Sequence, residues 1–249
     1  MSDKAKTPPE EKANPVGTLL LKTFNNALSI QRPLADAWYE RLRKQYPKHS
    51  PEKLIGILDK EYIAAATASG AAAGAASAVP NGAVQVPAAL ADLVAFIGSS
   101  VCYSFVLADI YGEKAVNDEQ RRMFALVVLL GDAAFGKAMN QVVGRAAPHL
   151  AKQAVKKIPM GAIRKVNAIL GRQFITKYGT KQGALVLSKQ LPLGIGALIG
   201  GGGNAAFAYF SVQAGHKFFG KPPKSWEERA ARIVENQKFD DEDIIDIDD

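Results

Sequence analysis

The chain has 249 residues, 48% of them hydrophobic and 22% charged, a balance that excludes an extended disordered chain and fits one generous domain or two small ones. Its single cysteine excludes a disulfide framework and a Cys-rich metal site, and fits a reducing cytoplasm. The net charge of +7 is unevenly distributed: residues 1–132 carry 14 Lys/Arg against 14 Asp/Glu, residues 133–226 carry 14 Lys/Arg and no acid, and residues 227–249 carry 3 Lys/Arg against 10 Asp/Glu. Segregation on this scale aims a field at a polyanion such as nucleic acid, anionic lipid or a phosphorylated ligand.

Residues 1–15 are rich in Lys, Glu and Pro without periodicity, and read as a disordered arm with no apolar stretch of signal-peptide kind. From Pro15, Leu19, Leu20, Phe24, Leu28 and Ile30 recur at helical spacing. Arg32-Pro33 is expected to break that run, with a charged helix following through Trp38 and Leu42. Ser50-Pro51 supplies an N-cap and a first-turn proline for a helix through Leu54, Ile57, Leu58 and Ile63.

That helix runs into a tract of Ala, Gly, Ser and Thr, from Ala64 to Ala78. Gly70 and Gly74 are four apart, so one face stays small enough for a second helix to approach closely. Pro80-Asn81-Gly82 marks a turn, and a partner helix is expected to start near Pro87 and end at Tyr111-Gly112. The pair reads as a buried helical hairpin. Pro80, Asn81, Gly82 and Pro87 interrupt its uncharged stretches, and Asp92 and Asp109 bound the next one, so core burial is favoured over crossing a bilayer. Insertion of Gln190 to Gly215 into a bilayer stays open.

Asn117-Asp118-Glu119 opens a further helix, expected to run through Met123, Leu126 and Leu130 to Phe135. Pro148, Pro159 and Gly171 are expected to divide the basic middle into short helices. Ser225-Trp226-Glu227-Glu228 is a capping box that starts a last amphipathic helix. No strand alternation is visible. The fold class is therefore all-α: a compact helical bundle with a Gly/Ala-rich buried hairpin, one domain over residues 16–237, and an acidic disordered tail over 238–249.

Gly131-Asp132-Ala133-Ala134-Phe135-Gly136-Lys137 has the glycine and lysine spacing of a phosphate-binding loop. Ala138 stands where that loop needs a magnesium-binding Ser or Thr, and no acid follows before Ser225, so close helix packing is the better reading. Asp92, Asp109 and Asp132 lie in apolar surroundings, where an unpaired carboxylate costs several kcal/mol. Separate structural pairings, with residues such as Lys177 or Arg172, are favoured over a shared acid/base site. His49, His149 and His216 lack partners at metal-ligand spacing and read as surface or capping residues. Cys102 reads as a buried inert thiol. No metal or cofactor is expected.

On a helical wheel Ile163, Val166, Leu170 and Phe174 form a narrow apolar stripe, with Arg164, Lys165 and Arg172 on the far side. Lys152, Lys156 and Lys157 cluster just before them, and Lys177 and Lys181 follow. These eight cations are the candidate anion- and lipid-binding residues, on helices of the kind that lie on membrane surfaces. Nucleic acid is disfavoured, because few aromatics interleave with the cations and no nucleic-acid-binding motif is present.

Asp92-Leu93-Val94-Ala95-Phe96 leading to Asp109-Ile110-Tyr111-Gly112, the small-residue hairpin before it, Asn167 to Leu187 with Gly171-Arg172 and Lys177-Tyr178-Gly179-Thr180, and Leu193 to Asn204 together resemble the EcsC family. The resemblance spans about residues 50–220, through motifs dominated by Ala and Gly. It implies a bacterial, mostly helical protein whose namesake is encoded beside an ABC exporter, and it carries over no catalytic residues. The expected function is a cytoplasmic, peripherally membrane-associated protein on the inner face of the cell membrane that interacts with lipid or another anion, without catalysis. The alternatives are an enzyme acting on a small anionic substrate near Asp92, Asp132 and Lys177, or an adaptor of a membrane transporter. The acidic tail is expected to compete with lipid for the basic face. Oligomeric state is not legible.

Overall fold

A computed structural model of the chain describes residues 15–77, 82–113, 117–144, 158–179 and 203–242. The first helix, α1 (Pro15–Gln45), runs unbroken through Pro33, contrary to the expected break. A mid-helix proline costs about 3 kcal/mol. Leu20, Phe24 and Ala27 before it and Ala35 and Leu42 after it are all buried, so one continuous apolar face offsets that cost. Arg32, next to the proline, pins the same point of α1 to Asp109 across a 2.9 Å ion pair.

Helices α2 (Pro51–Ser77) and α3 (Gly82–Tyr111) pack on each other as the expected hairpin, and α1 lies along α3. The second arm starts at Gly82 rather than near Pro87. Pro87, the sixth residue of this helix, removes the amide that would bond the Ala83 carbonyl and crowds that carbonyl with its ring, without ending the helix. Ala91–Tyr111 is long and apolar enough to cross a membrane by length and composition, with a mean hydropathy of 1.8. The bundle buries 78% of that window, as expected of a central helix apolar on all sides.

Asn117 caps α4 (Asp118–Leu130), its side-chain oxygen accepting from the Gln120 amide at 2.9 Å. Met123 to Leu130 are all buried. The helix stops at Gly131 instead of continuing to Phe135, and α5 (Asp132–Val143) begins at the next residue. Gly131 has φ +99° and ψ 158°, a region open essentially to glycine alone. A Cβ there would also lie 2.7 Å from Cζ of Phe210. The expected close packing is real, but it breaks the helix.

The next described helix, α6 (Met160–Gly179), passes through Gly171 without interruption. A mid-helix glycine costs only about 1 kcal/mol, and Ile163, Val166, Leu170 and Phe174 remain fully buried on either side of it. Helix α7 (Gly203–Phe219) packs on α2 and α4. In α8 (Trp226–Glu242), the Glu228 amide donates to Ser225 Oγ at 3.2 Å, as the capping box requires. The return arm lands one residue earlier than expected: Glu228 Oε2 accepts from the Lys224 amide at 2.8 Å. The helix is described through Glu242, and residues 243–249 lie outside the described residues. The fold is an all-helical bundle of eight described helices, with no strand among the described residues.

Candidate anion-binding site

Helix α6 divides as its wheel predicts. Its apolar stripe faces α1, α4 and α5, while Arg164, Lys165 and Arg172 are exposed. Lys177 is placed differently. Its Nζ turns inward and donates to the Leu129 carbonyl at 2.9 Å, where the Tyr178 hydroxyl also donates at 2.8 Å. The two groups satisfy a carbonyl in the last turn of α4, which has no helical partner of its own. The ammonium also lies 4.4 Å from the Phe210 ring centre, and burial lowers its pKa to about 8. Lys152, Lys156, Lys157 and Lys181 lie outside the described residues.

Arg164 and Arg172 border a cleft of about 300 Å³ between α1, α4 and α6. Leu21 and Ile175 form its partly exposed apolar walls, above the buried side chains of Phe24, Leu126 and Phe174. Arg122 adds a third guanidinium, engaged with Asn25 Oδ1 and lying 5.9 Å from the Phe24 ring centre. Glu119 is the acid at this cleft, and its Oε2 accepts from Asn167 Nδ2 at 2.6 Å. Asn167 Nδ2 also donates to the Glu119 carbonyl at 2.9 Å, which fixes the amide and leaves Oδ1 a buried acceptor without a donor among the described residues. Neither Arg164 nor Arg172 has a side-chain partner among the described residues.

The aspartates weighed as an acid/base site are held separately, though not by Lys177 or Arg172. Asp92 Oδ1 accepts from Ser69 Oγ at 2.9 Å and Asn204 Nδ2 at 2.6 Å. Asp109 pairs with Arg32; burial raises its pKa and the Arg32 charge offsets part of that rise. Asp132 is 3.6 Å from Lys217 and nearly half exposed. Residues 132–137 of the phosphate-loop-like string are helical and follow a helix, so the backbone cradle of such a loop is not formed. Cys102 is buried, and burial pushes its thiol up to about 11.

One polar cluster was missed in the sequence. Asp59 of α2 accepts from the Tyr103 hydroxyl of α3 at 2.7 Å and stands 2.9 Å from His216 Nε2 of α7. His216 thus stands beside a carboxylate of another helix, but its side chain is partly exposed and its Nε2 makes no hydrogen bond among the described residues. Tyr62 stacks on Tyr103 with ring centres 4.4 Å apart and reaches Ser100 Oγ at 2.7 Å. The legible signal was Asp59 itself, which falls between Ile55 and Tyr62 on the buried stripe of α2. No group of three or more His, Cys, Asp or Glu suited to a metal occurs among the described residues. Comparison of the chain with protein-family models, curated proteins and solved structures finds no match.

Proposed function

We propose that this protein works at the cytoplasmic face of a membrane, as a peripheral, non-catalytic partner of anionic lipid. The carrying observation is the outer face of α6: Arg164, Lys165 and Arg172 project outward opposite a fully buried stripe, within 94 residues that contain no acid. Each cation near an anionic leaflet contributes about 1 kcal/mol, so these three supply roughly 3 kcal/mol before screening. The separate partners of Asp92, Asp109 and Asp132 favour a binding role over an acid/base one. Kinship with the EcsC family, and with it a place beside a membrane exporter, belongs to the same proposal.

Residues 243–249 carry four acids and, tethered to the same chain, compete with lipid for the basic face at an effective concentration that can reach about millimolar. Co-sedimentation of the full chain with vesicles tests the reading. Anionic vesicles should capture it at low salt and neutral vesicles should not, and about 0.5 M salt should release it as screening contracts to a few ångströms. Truncation after Glu242 should tighten capture. Equal binding to both vesicle types, or to neither, would contradict the proposal.

A further inference from the structure

We infer that the cleft between α1, α4 and α6 binds one phosphate-headed membrane lipid, with the headgroup held between Arg164 and Arg172 and the start of its chain lying between Leu21 and Ile175. The inference rests on the lipid reading above and narrows it, because attraction to a charged surface needs no cleft. Three observations carry it. The first is shape. Arg164 and Arg172 are eight residues apart, about 12 Å along the helix at its ordinary rise. Between them α6 presents Asn167 and the small residues Ala168 and Gly171 to the cleft, and a Cβ added at Gly171 would meet nothing within 4 Å. Small residues thus hold a gap open between two guanidiniums. At roughly 30 Å³ for each water-sized unit, the 300 Å³ cleft admits about ten such units, enough for a headgroup and a few methylenes.

The second observation is charge. Glu119 and Arg122 are hydrogen-bonded by the neutral amides of Asn167 and Asn25, so the cleft keeps three guanidiniums against one carboxylate, and Arg164 and Arg172 have no side-chain partner among the described residues. An adjoining cleft of about 360 Å³ shares Glu119 and Arg122 but differs in its other arginines. There Arg32 pairs with Asp36 and Asp109, and Arg121 with Asp118. In the first cleft the forks of Arg164 and Arg172 have no partner among the described residues, and such forks match a phosphate's oxygens bidentately. The third is the orphaned Oδ1 of Asn167, in a residue only 5% exposed that lines the same cleft. As an acceptor it cannot pair with bare phosphate oxygens, but it is placed to accept from a headgroup hydroxyl, such as the P–OH of a phosphate monoester monoanion.

The test is isothermal titration of the full chain with decyl phosphate below its micelle concentration, with inorganic phosphate and the neutral decyl maltoside as controls. Decyl phosphate should saturate one site per chain, and both controls should bind at least about tenfold more weakly, since each lacks one half of the recognition. Ala168 is exposed, so Ala168→Trp should fill the gap and abolish that site without shifting the melting temperature or lowering capture by anionic vesicles. Arg164→Ala and Arg172→Ala should each weaken decyl phosphate about tenfold, the loss expected for one charge-assisted contact. Unsaturable uptake, equal affinity for inorganic phosphate, or an undiminished site in Ala168→Trp would overturn the inference. Capture by anionic vesicles without a decyl phosphate site would overturn it while leaving the surface reading intact. A decyl phosphate site without vesicle capture would refute the surface reading instead.

Discussion

The side of the bundle built from α2, α3 and α7 turns its polar groups inward and joins them across helices, as in the Tyr103–Asp59–His216 contact and the Ser69–Asp92–Asn204 contact. On the side built from α1, α4 and α6, Arg164, Lys165 and Arg172 turn outward, and Arg164 and Arg172 end without partners among the described residues. The difference follows from what burial costs. A buried polar group left unpaired costs about 1–3 kcal/mol, so the inner groups must be matched for the chain to fold. An exposed guanidinium in water carries no such requirement, so the outer cations are free to meet a ligand. The inner set therefore governs stability, and the outer set governs binding.

The largest effect is expected where the two sides meet. Gly131→Ala places a Cβ against Phe210 in a backbone region that only glycine tolerates, and should cost about 3 kcal/mol or more in a denaturant titration. Next is Asp59→Ala, which strips the acceptor from the fully buried Tyr103 hydroxyl and should cost about 2–3 kcal/mol. If that variant melts like the parent, the inner set does not govern stability and the division between the two sides collapses.

Lys177 sharpens the comparison, because it is a cation of the basic stretch turned inward. Burial lowers its folded-state pKa to about 8 from an ordinary 10.5. The unfolded chain therefore holds more protons between those values, and stability should rise with pH across that window. Below about pH 8 the penalty is fully present and amounts to about 3 kcal/mol at most. Lys177→Met removes the titration, and Tyr178 still serves the Leu129 carbonyl. The variant should be at least as stable as the parent at pH 7, with the advantage shrinking toward pH 10.5. A pH profile parallel to the parent's would mean that the amine is solvated. The smallest stability effect belongs to the outer set: Arg164→Ala, Lys165→Ala and Arg172→Ala should each stay within about 0.5 kcal/mol by thermal melt.

Local chemistry was legible. Small residues four apart predicted a close helix approach, and it is found at Gly70 against α7 rather than against the hairpin partner α3: a Cβ there would lie 3.1 Å from Asn204 Cβ. The caps at Asn117 and Ser225 and the two faces of α6 were equally readable, because each depends on residues within a turn or two. Tertiary packing overrode other local signals. Pro33 and Gly171 sit inside helices because the buried faces on either side of them are continuous. Gly131 ends a helix because Phe210, 79 residues later, occupies the space a side chain would need. The cleft was illegible for the same reason: its arginines were singled out on α6, but Leu21 and Phe24 come from a helix more than a hundred residues earlier. No periodicity within one helix reports on that meeting.

The central claim is that the outward cations of α6 bind an anionic surface and contribute little to the fold. Its most direct test is co-sedimentation of the combined Arg164→Glu, Lys165→Glu and Arg172→Glu variant with anionic vesicles, beside the parent chain at the same low salt. Capture of the parent and loss of the variant, with superimposable circular dichroism spectra and melting curves, is the result expected. Undiminished capture of a folded variant would contradict the account.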